Sequence, residues 1–132
     1  MSQQDLTADM LTRVRNAARN KAASVNCLNN KLNQGVARVL KDEGYVRDFE
    51  VIDDGRQGVL RVHLKYGTRG EHLINRIDRV SSPGRRVYSG VNDLPRPLQG
   101  LGIAIVSTSH GVLSDRRCRE EKVGGEVVAI VT

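Results

Sequence analysis

Three consecutive hydroxyl side chains end an apolar stretch in the second half of the chain. They are Ser107, Thr108 and Ser109, and His110 and Gly111 follow them. Each hydroxyl can donate and accept hydrogen bonds, and a glycine lets another backbone approach closely. Such groups suit the base edges and 2′-hydroxyls of RNA. An ordinary polar hairpin turn fits the same composition, so both interpretations stay open at this point.

Catalytic chemistry fits these residues poorly. Neighbours in one loop, such as Ser109 and His110, rarely meet at hydrogen-bonding distance with a third group that orients the base. The chain contains no G-x-S-x-G nucleophile elbow. The glycines at 100 and 102 precede a predicted strand instead of leading from a strand into a helix, so they lack the geometry of a pyrophosphate-binding turn. We therefore predict that the protein is not an enzyme.

The histidines and cysteines show no metal-binding spacing. His63 and His72 have no clustered carboxylates or thiols beside them, and Cys27 and Cys118 belong to no C-x-x-C pair. We expect both cysteines to be reduced and to pack as small apolar side chains. The sequence predicts no metal and no cofactor.

The charge composition indicates an anionic partner. Among 132 residues there are 21 basic and 15 acidic side chains, a formal net charge of +6, and 16 of the basic residues are arginine. Arginine presents a planar, forked donor that suits phosphates and base edges. Residues 13–41 hold seven basic side chains and no acidic one, whereas residues 42–54 hold six acidic side chains and one arginine. This segregation favours a face for an anionic partner, but ordinary solvated helix faces explain it equally well.

The first half of the chain predicts two amphipathic helices followed by a small sheet. The candidate helix N-caps are Asp5 or Thr7 and Asn29 or Asn30. Gly44 is the expected end of the second helix. Strands over 45–52 and 59–66 follow, joined by a turn rich in aspartate and glycine. The glycines of residues 67–70 are typical of a linker.

The second half predicts short strands and one short helix. Strands are expected over 73–80, 86–88, 101–107 and 126–131, and a helix capped by Ser114 is expected over 114–122. The predicted fold class is α+β with two small lobes. Residues 1–68 form a lobe of two helices and a short β-sheet, and residues 69–132 form a mostly β lobe with one short helix.

The sequence also bears on location. Its apolar runs are far shorter than the stretch needed to cross a bilayer. Residues 1–5 lack the positive start and the apolar centre of a secretory signal. We therefore expect a cytoplasmic protein with no membrane partner.

Five motifs occur in order along nearly the whole chain. They are ADMLTRVRN at 8–16, LKDEGYV at 40–46, RVSSPGRRVY at 79–88, GLGIAIVSTSHG at 100–111 and GGE at 124–126. In this order they resemble the bacterial small-subunit ribosomal protein eight family. Five ordered motifs are far more specific than any one of them.

This resemblance implies a structural ribosomal protein that binds the central domain of small-subunit ribosomal RNA directly and helps to assemble the small subunit. Neighbouring small-subunit ribosomal proteins are further implied partners, its own messenger RNA is an additional candidate, and we expect a monomer outside the ribosome. The C-terminal lobe is implied to make the main RNA contact. The predicted RNA-binding residues are Ser107, Thr108, Ser109, His110, Gly111, Gly124, Gly125, Glu126, Tyr88, Arg85, Arg86, Arg13, Arg15 and Asn16.

The chain departs from the family pattern at two places. His110 stands where the family usually has lysine, and a histidine carries less positive charge than a lysine at pH 7, which weakens a phosphate contact. Residues 25–30 lack a proline that is common in that segment. A protein-interaction module remains the main alternative function, since the acidic stretch at 42–54 could face a basic neighbour. A salt titration separates the two functions, because phosphate binding weakens steeply with salt.

Overall fold

A computed structural model of the chain describes residues 5–132. Residues 1–4 lie outside the described residues, and with them most of the segment in which we expect no secretory signal. Within 5–132 the order of helices and strands is α1 (Leu6–Arg19), β1 (Ser24–Leu28), α2 (Lys31–Asp42), β2 (Val46–Ile52), β3 (Val59–Leu64), β4 (Ile77–Arg79), β5 (Tyr88–Ser89), β6 (Ile103–Thr108), β7 (Gly111–Ser114), α3 (Asp115–Glu121) and β8 (Gly125–Val131). The α+β prediction is confirmed, with a helix-and-sheet lobe followed by a β-rich lobe.

The two long helices begin at side chains that satisfy free backbone amides. Asp5 accepts a hydrogen bond from the Ala8 amide at 3.0 Å, and Asn30 accepts one from the Asn33 amide at 2.7 Å. Gly44 follows α2 with φ of +84°, a left-handed conformation that glycine adopts without steric cost. Asp5 and Asn30 are therefore the caps among the predicted alternatives, and the predicted end of α2 is confirmed.

The first sheet has three antiparallel strands in the order β1-β3-β2. Along β3, buried residues alternate with partly exposed ones, and Leu60, Val62 and Leu64 form the buried face. The sequence pattern does not predict β1, because its residues SVNCL alternate only weakly. Pairing with β3, which places Cys27 opposite Leu60, makes this segment a strand.

The second sheet has the strand order β4-β8-β6-β7, and β5 pairs with the same edge of β8 as β4 does. The strand predicted over 73–80 is wrong except for Ile77–Arg79. The amides of Asn75 and Arg76 both donate to the Thr132 carbonyl instead of joining a ladder. The strand predicted over 86–88 lies at Tyr88–Ser89, and β7 is a strand that the sequence pattern misses.

The main cluster of buried side chains takes residues from both sheets. It joins α1, α2, the inner face of the first sheet and one face of the second, while a smaller cluster packs α3 against the opposite face. Arg79 of β4 ties the start of α1 to this sheet, because its Nε donates to Asp5 at 3.0 Å and its Nη1 donates to the Val128 carbonyl at 2.9 Å. The lobe boundary between residues 68 and 69 falls between the two sheets and stays a prediction. None of the helices within residues 5–132 is long and apolar enough to cross a membrane.

Candidate nucleic-acid interface

Tyr88, Glu126 and Ser107 form a row across three neighbouring strands of the second sheet. Glu126 of β8 is paired with Tyr88 of β5 on one side and with Ser107 of β6 on the other. Paired residues of antiparallel strands point to the same face of a sheet, so the three side chains lie side by side. Tyr88 is 69% exposed. The fold thus brings a phenol, a carboxylate and a hydroxyl together at one end of the sheet.

Glu126 is held by two donors from the chain that precedes β5. Arg86 Nη1 donates to Glu126 Oε2 at 2.9 Å, and the hydroxyl of the buried Ser81 donates to the same oxygen. Burial opposes ionisation, but these hydrogen bonds and the nearby positive charges of Arg86 and Arg79 outweigh burial and hold the pKa of Glu126 below its usual value. Glu126 is therefore a charged acceptor, and its Oε1 accepts no hydrogen bond from the described residues. Arg85, the neighbour of Arg86, is exposed in a tight turn.

The hydroxyls of the β6–β7 hairpin divide into two kinds. Thr108 Oγ1 donates to the Gly111 carbonyl at 2.7 Å and accepts from the His110 amide at 3.0 Å, so this side chain closes the turn. Gly111 has φ of +105°, which favours glycine. Within residues 5–132, the hydroxyls of Ser107 and Ser109 have no protein partner, and Ser109 is exposed. Ser107 and Ser109 are therefore the two hydroxyls that are available to a ligand.

His110 anchors the tip of the hairpin to α3. Its ring nitrogen Nδ1 lies 2.9 Å from Glu121 Oε1, and Arg117 Nη2 donates to Glu121 Oε2 at 3.0 Å. Hydrogen bonds from His110 and Arg117 hold the pKa of Glu121 below its usual value. The His110 side chain thus connects the hairpin to the helix in addition to any role at the surface.

Gly124 and Gly125 are required by close backbone approach. A Cβ atom at Gly125 would lie 2.1 Å from the Ser107 carbonyl oxygen, and one at Gly124 would lie 2.3 Å from the Ser89 carbonyl oxygen. No side chain fits at either distance without moving backbone. These glycines therefore let β8 lie against β6 and β5 at the level of the Tyr88–Glu126–Ser107 row.

The predicted RNA-binding residues of α1 are not part of the Tyr88–Glu126–Ser107 row. They are Arg13, Arg15 and Asn16. Arg13 forms an exposed ion pair, in which its Nε donates to Asp9 at 2.8 Å, whereas Arg15 lines a groove beside residues 72–75. Asn16 is exposed on the same helix. Among the described residues, no hydrogen bond joins these three side chains to the row or to the hairpin.

Two residues around Glu126 are missing from the predicted set. Ser81 orders the carboxylate, and it also accepts a hydrogen bond from the Val87 amide at 3.1 Å. Arg79 adds positive charge. Both belong to the motif at 79–88, but their position beside Glu126 follows only from the pairing of β4 and β5 with β8.

Reactive centres are not evident elsewhere in the described part of the chain. Across residues 5–132, no group of three or more histidine, cysteine, aspartate or glutamate side chains could hold a metal ion. Cys27 and Cys118 are buried and unbridged, and burial raises the pKa of each thiol to about 11. The prediction that both cysteines are packing residues is confirmed.

The fold and this surface define a small, basic α+β protein whose second sheet presents hydroxyl, carboxylate and arginine groups at one end. A family model described as "Ribosomal protein S8" matches residues 5–132.

Similar proteins carry the name "Small ribosomal subunit protein uS8". The chain is 49% identical over 127 residues to the protein of Caldicellulosiruptor bescii and 50% identical over 127 residues to that of Streptococcus equi subsp. zooepidemicus, with 96% of each chain covered. It is 45% identical over 131 residues to the protein of Clostridioides difficile, with 99% of each chain covered. The chain belongs to the ribosomal protein S8 family, whose members are structural components of the small ribosomal subunit and not enzymes. The resemblance drawn from the five motifs is confirmed.

Proposed function

We propose that this protein binds the central domain of small-subunit ribosomal RNA directly and helps to assemble the small subunit. The observation that supports the proposal most is the hydroxyl of Ser107, which has no hydrogen-bond partner among residues 5–132 and lies beside the ionised Glu126 in the row that ends at the exposed Tyr88. The hydroxyl of Ser109, also without a partner among these residues, follows in the adjoining turn. Hydroxyls and a carboxylate can pair with exposed base edges and 2′-hydroxyls of an irregular RNA helix. In this proposal residues 69–132 form the main RNA-binding lobe.

The predicted residues take different parts in this proposal. Ser107, Ser109 and Oε1 of Glu126 read the RNA, while Arg85 neutralises phosphate, a contact that carries no sequence information. Thr108, Gly111, Gly124 and Gly125 hold the backbone that presents the readers. Arg13, Arg15 and Asn16 of α1 add backbone contacts, and Arg86 positions Glu126.

Three further expectations belong to the same proposal. The protein contacts neighbouring small-subunit ribosomal proteins, it is a monomer outside the ribosome, and its own messenger RNA is an additional candidate ligand. The last expectation requires that the messenger presents a similar arrangement of bases and 2′-hydroxyls to Ser107 and Ser109.

The test compares the variants Ser107→Ala and Ser109→Ala with the matched variant Thr68→Ala, which removes an exposed hydroxyl from a distant turn. Binding to a transcript of the central domain should weaken by about 1–3 kcal/mol for each of the first two variants, because a polar group of the RNA loses its partner. Thr68→Ala should bind as wild type does. Unchanged affinity in both hairpin variants would remove the basis of the proposal.

A further inference from the structure

A groove runs along α2 beside the β6–β7 hairpin. Its polar lining comprises Lys31, Gln34 and Arg38 of α2 and His110 at the hairpin tip, and Val112 and Leu113 of β7 form its apolar floor. The groove begins at the turn that carries Ser109. It therefore continues the surface of the hairpin onto the first lobe.

Close packing at Gly35 sets the width of this groove. A Cβ atom at Gly35 would lie 2.5 Å from Cγ2 of Val112, so only glycine allows α2 to approach β7 this closely. A glycine in the interior of a helix costs roughly 1 kcal/mol relative to alanine. The helix tolerates glycine at position 35 because the contact with Val112 holds the hairpin against the face of α2 that carries Lys31 and Arg38.

Lys31 and Arg38 are exposed on the groove side of α2. They are seven residues apart, so they lie on the same face of the helix, roughly 10 Å apart along its axis. Neither forms an ion pair with an acidic side chain of residues 5–132, in contrast with Arg13, Arg86 and Arg117. Two cations without an ion-pair partner on one helix face can each contact a phosphate of an RNA strand.

The charge changes sign at the far end of α2. Asp42 and Glu43 line the continuation of the groove together with Arg38 and Arg117, and Glu43 lies 3.4 Å from Arg116. Carboxylates repel phosphates, so an anionic chain that enters at the hairpin tip is favoured most along the stretch from Lys31 to Arg38.

We propose that this groove binds the sugar–phosphate backbone of the RNA strand adjacent to the bases read by the hairpin, with Lys31 and Arg38 each neutralising a phosphate. The inference rests on the proposed function, because it takes its ligand from the RNA at Ser107 and Ser109. Val112 and Leu113 offer apolar contact to the sugars. A protein ligand is less favoured, because Lys31 and Arg38, which have no ion-pair partner among residues 5–132, border the apolar floor of the groove.

The test uses Lys31→Gln and Arg38→Gln, with Arg47→Gln as a matched control that removes an exposed arginine from β2 outside the groove. Binding to the central-domain transcript and to a scrambled transcript is measured at two salt concentrations, together with binding of Ser109→Ala. Lys31→Gln and Arg38→Gln should each weaken binding of both transcripts by roughly three- to tenfold at low salt and flatten the salt slope by about one unit. Arg47→Gln should match wild type in both respects.

The outcomes separate the groove from the hairpin. If Ser109→Ala weakens specific binding but Lys31→Gln and Arg38→Gln do not, the groove proposal is overturned and the proposed function stands. If the two groove variants weaken binding but Ser109→Ala does not, the groove is supported and the reading role of the hairpin fails. Wild-type protein that binds neither transcript overturns both. Loss of a neighbouring ribosomal protein from reconstituted particles, with RNA affinity unchanged in the groove variants, would make the groove a protein contact and overturn the proposal.

Discussion

Ser107 and Glu126 lie directly opposite each other across β6 and β8. The pairing depends on Gly125, because only a residue without a side chain lets β8 pass so close to the Ser107 carbonyl. Glu126 is in turn oriented by Ser81 and Arg86. Ser107 and Glu126 are thus built into the ladder of the second sheet, whereas Ser109 lies in the turn between β6 and β7.

The Ser107 carbonyl oxygen lies so close to Gly125 that a methyl group added there should destabilise the fold. Gly125→Ala should lower the free energy of unfolding by about 2 kcal/mol or more, because the new Cβ would lie 2.1 Å from a backbone oxygen. Gly84→Ala is the matched control, since nothing lies within 4 Å of a Cβ at that position. Denaturant unfolding measures both variants, and equal stability of the two would contradict the close approach.

The lowered pKa of Glu126 predicts a specific acid sensitivity. Its folded-state pKa lies below the unfolded value of about 4.3, so the stabilisation is present above that value and is lost as the pH falls through the folded pKa. Wild-type protein should therefore lose more stability than Glu126→Gln on going from about pH 6 to about pH 3. Urea unfolding of both proteins across this range checks the expectation. If both proteins lose the same free energy of unfolding over this range, the contacts with Ser81 and Arg86 do not stabilise the ionised form of Glu126.

The buried thiols predict slow chemical labelling. Burial raises the pKa of Cys27 and Cys118 to about 11, so the thiolate fraction near pH 8 is only about one in a thousand. A maleimide should react with neither cysteine on the time scale of minutes in the folded protein and with both in denaturant. Mass spectrometry counts the labels. Rapid labelling of the native protein would mean that one cysteine is accessible.

The ion pair of Arg13 with Asp9 predicts that replacing Arg13 and replacing Arg15 weaken RNA binding unequally. Arg13 already pairs with Asp9, whereas Arg15 has no acidic partner in the described chain. Arg15→Ala should therefore weaken binding of cognate and unrelated RNA by similar factors and flatten the salt slope by roughly one unit, and Arg13→Ala should do less. Filter binding at two salt concentrations measures this difference. A larger effect of Arg13→Ala would indicate that the Asp9 pair opens when RNA binds.

Replacing His110, at the tip of the hairpin, by lysine is expected to strengthen RNA binding. His110→Lys should tighten RNA binding at pH 7 by up to about 1 kcal/mol, and by less in high salt, because it adds positive charge beside the proposed site. Glu121 lies within reach of position 110 and limits the gain. Titration of the same transcript with both proteins tests this, and weaker binding of His110→Lys would show that the contact between His110 and Glu121 matters more than charge.

Much of the local structure follows from the sequence alone. The apolar spacing of α1 and α2, Ser114 at the start of α3 and Gly44 after α2 act within a few residues, so their effects can be read without knowing the fold. The five ordered motifs were sufficient to identify the family. The hydroxyl cluster at 107–109 was visible for the same reason, since it is contiguous in the chain.

Tertiary structure decided which of these groups can act. The strand β1 exists because β3 lies beside it, and Asn75 and Arg76 lie outside any strand because their amides both donate to the Thr132 carbonyl. Thr108 is committed to its own turn, whereas Ser107 meets Glu126 only because β8 pairs with β6. Pairings between residues distant in sequence depend on loop closure and on packing of the whole sheet, and no local pattern encodes them.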